Sequence, residues 1–302
     1  MPELPSITIY IERLEALVGE GPIEDIRLRS SFLVRTAEPP IKSIIGAPIR
    51  GYRRIGKRIV FCFDDELFMV IHLMISGRLK WRPRGAKIPG RLGLAMFDFS
   101  NGSLLFTEAS KKKRASIHLV RGEEALSEFD RGGIEVLKSS AKQIGVALAR
   151  ENHTLKRALT DQRILSGIGN AYSDEILHRA RLSPFKLTSK LKPDEVKVLH
   201  KAIKSVMTEW IRRHRKEVGD GFPEKVTAFH DAMAVHGKYR EPCPDCGSPI
   251  QRIRYADNEA NYCATCQNAG KLFADRALSR LLKSNWPKTL EELEDHKEKR
   301  KL

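Results

Sequence analysis

The first 135 residues carry a hydrophobic pattern that is mainly that of β-strands. Three apolar or alternating segments are bounded by turn-forming residues and predict strands: residues 58–63, 67–75 and 92–99. Asn101-Gly102 follows the last of them and predicts a hairpin turn into the apolar run 104–106. Ahead of the strands, apolar residues between Ile9 and Leu17 recur roughly at helical spacing and predict one amphipathic helix.

Beyond about residue 150 the pattern changes to that of helices, because apolar residues recur every three or four positions from 155 to 210. The segment 166–170, with sequence SGIGN, separates a helix at 155–161 from a second helix for which Asn170 is a favourable N-cap. A helix start without bulky side chains can bind a phosphate through its backbone N–H groups, although a plain helix–helix turn is the alternative. Lys156 lies beside this candidate anion site in the sequence pattern.

These changes divide the chain into five regions. They are a β-rich N-terminal domain at 1–135, a linker at 136–150, a helical domain at 151–235, a cysteine-containing module at 236–285 and a charged tail at 286–302. With 302 residues, of which 41% are hydrophobic, the chain has room for two separate cores. The stretch 212–225, which contains two glycines and a proline, is expected to be a mobile loop.

Four cysteines give the strongest chemical signal. Cys243 and Cys246 form one CxxC pair, and Cys263 and Cys266 form a second at the separation expected when two thiolate pairs share a tetrahedral zinc ion. Residues between the pairs predict two short strands around a polar turn, hence a zinc hairpin. A structural ion is the simplest interpretation, since so small a module buries too little surface to fold without metal. The fifth cysteine, Cys62, lies in an apolar run and is expected in a core.

The charge of the chain indicates its partner. With 54 Lys and Arg against 38 Asp and Glu, the formal net charge is +16 and the pI is about 9.7, which favours nucleic acid over an anionic membrane. No window is apolar over the roughly twenty residues that a membrane span requires, and the N-terminus lacks the basic segment of a signal peptide. We therefore expect a soluble, cytoplasmic, monomeric protein.

Five motifs resemble, in order, those of the formamidopyrimidine-DNA glycosylase and endonuclease VIII family. They are MPELP at 1–5, GKR at 56–58, HL and SGR within 72–78, GIGNAYSDE at 167–175, and the four-cysteine finger that closes in CQ at 266–267. The resemblance covers about residues 1–285 and indicates a divergent member. It implies an α+β multidomain fold, with an N-terminal two-layer β-sandwich and flanking helices, a C-terminal helix-two-turns-helix domain and a zinc β-hairpin. The implied partner is damaged double-stranded DNA with one base extruded.

The resemblance also assigns roles to residues. Once the initiator methionine is removed, Pro2 carries an amine that titrates near pH 8 and can attack the sugar C1′ to form a Schiff base. Glu3 corresponds to the family's proton donor, and Lys57 to a lysine that contacts phosphate and assists β-elimination. By position, His72 and Asn170 would clamp phosphates. Taken singly, these motifs have plainer alternatives, namely an ordinary processed N-terminus and a solvated turn lysine.

Two regions of the N-terminal domain depart from the family pattern. Ser6 stands where many members have a second glutamate, and Ile75 takes the place of the methionine that fills the space left by the flipped base. The loop that reads the opposite strand is replaced by a run of cations that would still bind phosphate, unless they only form a solvated face: Lys111, Lys112, Lys113 and Arg114.

The hairpin departs as well. Asn258 occupies the position of an arginine that grips the phosphate at the lesion and is tied to δ-elimination. An amide brings neither charge nor a bidentate fork, which predicts weaker DNA binding and elimination that stops largely at the β stage. Arg252 or Arg254 could substitute from the adjoining strand.

These patterns together predict a bifunctional DNA glycosylase of base excision repair with abasic-site lyase activity. Oxidised purines, including oxoguanine and formamidopyrimidines, are the leading substrates because Leu4 resembles the formamidopyrimidine branch, and oxidised pyrimidines are the alternative. A non-catalytic protein that binds damaged or branched DNA is the second hypothesis, favoured by the departures and opposed by the intact catalytic motifs. A regulator or RNA-binding zinc protein has little support, since no aromatic stacking platform is visible.

Overall fold

The structure is a computed structural model that describes residues 2–224, 229–255, 258–273 and 287–298. The chain forms two compact units. The first comprises Met1–Gly133 together with Met207–Thr227, and the second comprises Ile134–Val206 together with Ala228–Leu302. Within the described ranges, no helix combines the length and the apolar character that crossing a membrane requires.

The first unit opens with helix α1, Leu4–Leu17, which confirms the helix predicted from the apolar spacing. Pro5 stands in its first turn, where a missing N–H has no intrahelical partner to lose. The face that carries Ile7, Tyr10 and Leu14 is fully buried in the core. This helix is therefore fixed to the domain from its first residues.

Two antiparallel four-stranded sheets form the two-layer sandwich. One has the order β1-β6-β7-β5, with β1 at Asp25–Leu28, β5 at Gly77–Arg82, β6 at Gly93–Phe99 and β7 at Gly102–Glu108. The other has the order β2-β3-β4-β8, with β2 at Gly51–Ile55, β3 at Arg58–Cys62, β4 at Leu67–His72 and β8 at Ser116–Arg121. Side chains of both sheets, among them Phe61, Ile71, Phe97 and Phe106, share one core with α1. The fold expected from the resemblance is thus confirmed.

The second sheet is buried on both faces. Val60, Phe68 and Val70 of its central strands pack on the outer side against Leu126 of a short helix, α2, Glu123–Ser127. Burial on both faces explains why these strands read as continuous apolar runs rather than alternating ones. Cys62 belongs to this cluster, as its apolar setting predicted.

Strand β4 is shorter than the apolar run predicted. It ends at His72, and the run to residue 75 turns away because Met74 adopts φ of +53°. The turn closes tightly at Gly77, where an added Cβ would lie 2.2 Å from the Leu73 carbonyl oxygen. The turn leaves Ile75 outside the sheet.

The long helix α6, Pro193–Val218, corrects the expectation of a mobile loop at 212–225. Residues 212–218 contain no helix-breaking residue, so the helix continues until Gly219, whose φ of +54° ends it. The Gly219 amide bonds to the Arg215 carbonyl at 3.0 Å. The part of α6 from Met207 onward belongs to the first unit.

The segment after α6 packs on the sandwich. The ring of Phe222 lies with its centroid 5.6 Å from that of Tyr10 and 6.3 Å from that of Trp81. Arg82 forms two hydrogen bonds with the carboxylate of Glu224, at 2.7 and 2.9 Å. The described part of this segment is thus held by aromatic packing and by an ion pair.

The second unit begins with a parallel pair of two-residue strands, β9 at Ile134–Glu135 and β10 at Leu165–Ser166. Its helices before α6 are α3 at Ala141–Ala149, α4 at Leu155–Thr160 and α5 at Asn170–Arg179. Residues 136–150, predicted as a linker, therefore contain a helix. Ser140 and Gln143 form a capping box at its start, and Ile144 and Leu148 are buried, so it is part of the packed fold.

The cysteine module contains the predicted pair of strands, β11 at Gln251–Tyr255 and β12 at Asn258–Tyr262, followed by the short helix α7 at Ala264–Asn268. The Ile253 and Tyr262 side chains pack with Phe185 and Phe273. The stretch predicted as a charged tail contains helix α8 at Leu290–Glu298.

Candidate functional site

The N-terminal motif is buried at the head of α1. Pro2 is buried, and the exposed fraction of Glu3 is 2%. Glu3 is the N-cap in extended conformation, and its carbonyl accepts the amide of Ile7 at 3.0 Å. Met1 lies outside the described residues. Pro2 and Glu3 are therefore positioned by a packed helix, and a carboxylate at a helix start is favoured by the helix dipole.

Lys57 and His72 occupy the same end of the second sheet. Lys57 follows Gly56, whose φ of +57° allows the tight turn between β2 and β3, and is only 6% exposed. His72 lies in register with Arg58. Burial first, and then the positive charges of Arg58 and Lys57, lower the pKa of His72 to about 4. The imidazole is neutral at pH 7 and carries one N–H donor, which suits the predicted contact with a phosphate oxygen.

The lowered pKa of His72 predicts an acid-sensitive fold. Unfolded His72 takes up a proton near pH 6.5 and folded His72 only near pH 4, so the unfolded chain binds more protons between these values. The free energy of unfolding should fall as pH is lowered through that window, by up to about 3 kcal/mol from this residue. Urea titrations between pH 4 and pH 7 measure it, with His72→Gln as the comparison. Parallel pH profiles for the two proteins would contradict the assignment.

The basic loop Lys111–Arg114 is exposed and anchored. The buried carboxylate of Glu108 accepts the backbone N–H groups of Arg114, at 3.1 Å, and of Ala115, at 3.2 Å. The ammonium of Lys113 donates to the Glu108 carbonyl. The predicted phosphate-binding cations therefore stand on a turn shaped by one buried acid, which the sequence pattern did not identify.

Ile75, the predicted wedge, is unusually exposed for a large apolar residue, with 54% of its surface accessible. Leu73, two residues earlier, is buried. The connection between β4 and β5 therefore places one apolar side chain in the core and the other at the surface. Arg78 donates to the Ile75 carbonyl at 3.2 Å, which helps to fix the turn.

The turn between α4 and α5 enters the helix one residue earlier than predicted. Gly169, not Asn170, is the N-cap of α5, and Asn170 is the first helical residue. Gly167 adopts φ of +88°, a conformation that favours glycine. The ammonium of Lys156, on a side chain 12% exposed, donates to the Asn170 carbonyl at 2.6 Å. Lys156 thus stabilises the turn that carries Asn170. The sequence had indicated only a phosphate contact for this lysine.

Asp174 and Glu175 hold the second unit together through polar contacts that sequence reasoning missed. Asp174, whose side chain is fully buried, bonds the Lys156 ammonium at 2.6 Å and Nδ1 of His236 at 2.8 Å. The Glu175 carboxylate accepts the backbone N–H groups of residues 234–236 at 2.8 to 3.0 Å. The sequence suggested only favourable first-turn acids, because their partners lie far away along the chain.

Replacing Asp174 by asparagine should destabilise the second unit by about 3 kcal/mol, because the largely buried Lys156 ammonium loses its fully buried counter-ion. The free energy of unfolding of the zinc-loaded protein, from urea titration followed by circular dichroism, measures this. Asp194→Asn is the matched control, since Asp194 lies in the exposed first turn of α6, where its pairing with Lys197 and with the helix dipole contributes less than about 1 kcal/mol. Equal effects of the two substitutions would contradict the prediction.

The four cysteines converge on one point. All four sulfur atoms lie within 4.8 Å of one another, with 3.9 Å between Cys243 and Cys266 and 3.4 Å between Cys246 and Cys263. Tetrahedral zinc with Zn–S bonds of about 2.3 Å separates its sulfurs by about 3.8 Å. The predicted ligand set therefore fits one structural zinc ion.

The hairpin beside the zinc site presents two arginines from β11. The guanidinium of Arg252 lies over the Tyr239 ring, 4.3 Å from its centroid, and that of Arg254 lies 3.9 Å from a carboxylate oxygen of Glu259. Asn258 begins β12 opposite Tyr255, and its side chain lies outside the described part of the chain. Stacking on an aromatic face leaves the N–H groups of a guanidinium directed outward in its plane.

Family models match along most of the chain. The formamidopyrimidine-DNA glycosylase N-terminal domain matches residues 1–119, the H2TH domain of the same glycosylase matches residues 134–220, and the zinc finger found in FPG and IleRS matches residues 240–269. The last match agrees with the cysteine cluster in indicating structural zinc.

Relatives and solved structures agree with these matches. An uncharacterized formamidopyrimidine-DNA glycosylase-like protein of Mycobacterium tuberculosis is 40% identical over 151 residues, which cover 50% of this chain and 94% of that protein. A Lactococcus lactis formamidopyrimidine-DNA glycosylase bound non-covalently to DNA with an abasic site superposes with a TM-score of 0.76 at 25% identity, over 88% of this chain and 99% of the other. A formamidopyrimidine-DNA glycosylase of Desulfitobacterium hafniense is 30% identical over 279 residues, 88% of this chain and 100% of that protein. Because the family models match and the Desulfitobacterium relative is 30% identical over its full length, the chain belongs to the formamidopyrimidine-DNA glycosylase family.

Proposed function

We propose that the protein is a bifunctional DNA glycosylase and abasic-site lyase that acts as a monomer on oxidised bases in double-stranded DNA. The observation that carries the proposal is the burial of Pro2 and Glu3 at the head of α1, in the unit that also contains Lys57 and His72. Reacting groups on a packed element are held more precisely than groups on a free terminus. The family and the net charge of +16 support DNA as the partner.

The proposed reaction begins once the N-terminal methionine has been removed. The Pro2 amine attacks C1′ of the damaged nucleotide, and a bond from nitrogen to C1′ forms as the bond to the base breaks; the proton lost by the amine nitrogen neutralises the departing base. Glu3 donates a proton to the sugar ring oxygen, so that the ring opens to an iminium ion. The iminium acidifies the C2′ proton, whose loss expels the 3′ phosphate in β-elimination. Lys57 and His72 contact the phosphates beside the reacting sugar.

Oxidised purines are the proposed substrates. The relatives that match most of the chain are named for formamidopyrimidine, a ring-opened purine. Leu4, which follows the catalytic motif, is buried in the described structure and does not itself offer polar recognition. Oxidised pyrimidines are the competing substrate class, and direct competition between duplexes separates the two.

The proposal is tested by borohydride trapping. The processed protein is incubated with abasic-site, oxoguanine and oxidised-pyrimidine duplexes in parallel, with Pro2→Gly as the comparison. The expected result is a covalent complex whose linkage maps to the N-terminal peptide and whose yield is highest with abasic and oxoguanine DNA. Measurable DNA binding without any covalent complex, after confirmed removal of Met1, would instead support a non-catalytic protein that binds damaged DNA.

The hairpin predicts which elimination product accumulates. Because Asn258 brings no charge to the lesion phosphate, elimination should stop largely at the β stage. Asn258→Arg should raise the share of δ-product on denaturing gels and steepen the salt dependence of DNA binding by about one unit of slope. Arg252, stacked on Tyr239, is the proposed substitute cation, and Arg252→Gln should lower DNA affinity. A wild-type reaction that yields chiefly δ-product would contradict the role assigned to Asn258.

A further inference from the structure

A buried histidine outside the cysteine set contacts one of the zinc ligands. His178, in the last turn of α5, is 4% exposed, and its Nε2 lies 3.3 Å from Sγ of Cys243. The same nitrogen lies 4.0 Å from a carboxylate oxygen of Asp245. A separation of 4.0 Å is too long for an N–H···O hydrogen bond, whereas 3.3 Å fits an N–H···S bond because sulfur is larger. Cys243 is therefore the partner of the imidazole.

The direction of this bond follows from the metal. A cysteine that binds zinc is a thiolate without a proton and can only accept. The His178 imidazole must then carry its proton on Nε2 and donate it to Cys243. Burial keeps water from competing for either atom, so the bond has a low-dielectric environment in which it is stronger.

A second contact joins the end of α5 to the other cysteine pair. The side chain of Gln267 donates to the Leu182 carbonyl at 2.9 Å and accepts the backbone N–H of Cys263 at 2.9 Å. Leu182 lies just beyond α5, which ends at Arg179 with Ala180 as its C-cap. Both cysteine pairs are thus connected to the C-terminal end of α5 and the residues that follow it. Of the two connections, only that of His178 reaches a sulfur atom directly.

We propose that His178 is a positioning residue of the zinc site, whose imidazole N–H donates to the Cys243 thiolate and slows loss of the metal. Donation withdraws negative charge from the sulfur, which makes it a poorer target for protons and electrophiles and fixes its direction toward the metal. The role goes beyond the proposed function, because it concerns retention of zinc and does not depend on any reaction with DNA.

Zinc release from the full chain tests the proposal. Each zinc-loaded protein is mixed with a chromogenic chelator, and the release rate is followed by absorbance. Because partners of metal ligands typically contribute 10- to 100-fold to metal affinity, His178→Phe should release zinc about 10-fold faster or more. His178→Gln retains an N–H donor and should stay close to the wild type. His200→Phe is the matched control, since His200 lies in the same unit and bonds the Ser139 carbonyl at 3.0 Å.

Two outcomes would overturn the proposal. Equal acceleration by His178→Phe and His178→Gln would mean that only the packing of the ring matters. Release at the wild-type rate from both would mean that the bond does not hold the metal. The cobalt-substituted proteins give a spectroscopic check, because loss of a hydrogen bond to sulfur should move the thiolate-to-cobalt charge-transfer band to lower energy in His178→Phe and not in His178→Gln.

A measurement on the unaltered chain covers the case in which His178→Phe does not fold. With NMR-active cadmium in place of zinc, the Nε2 proton of His178 should exchange slowly with solvent and show scalar coupling to the metal through the Cys243 sulfur. A rapidly exchanging proton without such coupling would overturn the proposal.

Discussion

Protein that keeps Met1 ahead of Pro2 should lose base excision and strand cleavage by more than about 10³-fold, the scale seen when an enzyme loses its nucleophile. The nitrogen of Pro2 is then part of a peptide bond, and its lone pair is delocalised into the carbonyl group. It cannot attack C1′ or form an iminium ion. The measurement is single-turnover cleavage of an abasic-site duplex by fractions whose Met1 content is known from mass spectrometry.

Treatment with a methionine aminopeptidase supplies the matched control for that experiment. Activity should return in proportion to the fraction of chains that lose Met1, while affinity for a non-cleavable abasic analogue changes little. If Met1-retaining protein turned over at the processed rate, the nucleophile would be another group, and Lys57 would be the first to examine because it is buried in the same unit.

Replacing Cys263 by serine should abolish stoichiometric zinc binding and unfold the hairpin of β11 and β12. Structural zinc sites supply about 10 kcal/mol or more of folding free energy, far above what the small cluster of Ile253 and Tyr262 can provide alone. Because the hairpin carries Arg252 and Arg254, affinity for an abasic-analogue duplex should fall about 10-fold or more, as expected when the cations of the hairpin no longer reach the phosphates. Zinc analysis and fluorescence anisotropy measure the two effects.

Cys62→Ser is the control for this substitution. Cys62 is also buried, but it lies in the outer cluster of the second sheet and in the other unit. It should leave one zinc ion per chain and unchanged affinity for DNA. Full zinc content and full DNA affinity in Cys263→Ser would show that three thiolates suffice and that the fourth position is dispensable.

The features that sequence predicted correctly are local ones. The zinc ligands follow from two short CxxC spacings, and the hairpin between them from two short apolar segments on either side of a polar turn. Strands β3 and β6 were visible because their apolar runs are bounded by turns. Such signals need no knowledge of what lies across the fold, so a single sequence is enough to read them.

The features that sequence missed depend on partners distant along the chain. Asp174 and His236 are 62 residues apart, and only the fold brings their side chains to 2.8 Å. Glu108 shows the same limit over a shorter distance, because a buried acid beneath a run of lysines looks from the sequence like one more surface charge. The pairing of Lys156 with Asp174 could not be seen in the sequence for the same reason, and the phosphate contact expected of Lys156 stays a prediction.

The predictions of helix caps and helix ends were wrong for a different reason. Asn170 has the stronger intrinsic preference for an N-cap, yet Gly169 takes that place because the turn from Gly167 brings the chain into the helix one residue earlier. The prediction of a loop at 212–225 gave too much weight to the glycines, which end α6 but do not disrupt its last turns. Propensity gives the kind of element, and packing decides the residue at which it starts or stops.

The first unit is assembled from two separate stretches of chain, and this limits how family members can be recombined. Its sandwich packs Tyr10 and Trp81 against Phe222, which belongs to the stretch Met207–Thr227. A chimaera that inherits only Met1–Gly133 would leave this aromatic face to be covered by a foreign segment. Exchange of the first unit between relatives therefore needs three junctions, one of them inside α6, and libraries built with a single crossover near residue 135 should yield mostly insoluble protein.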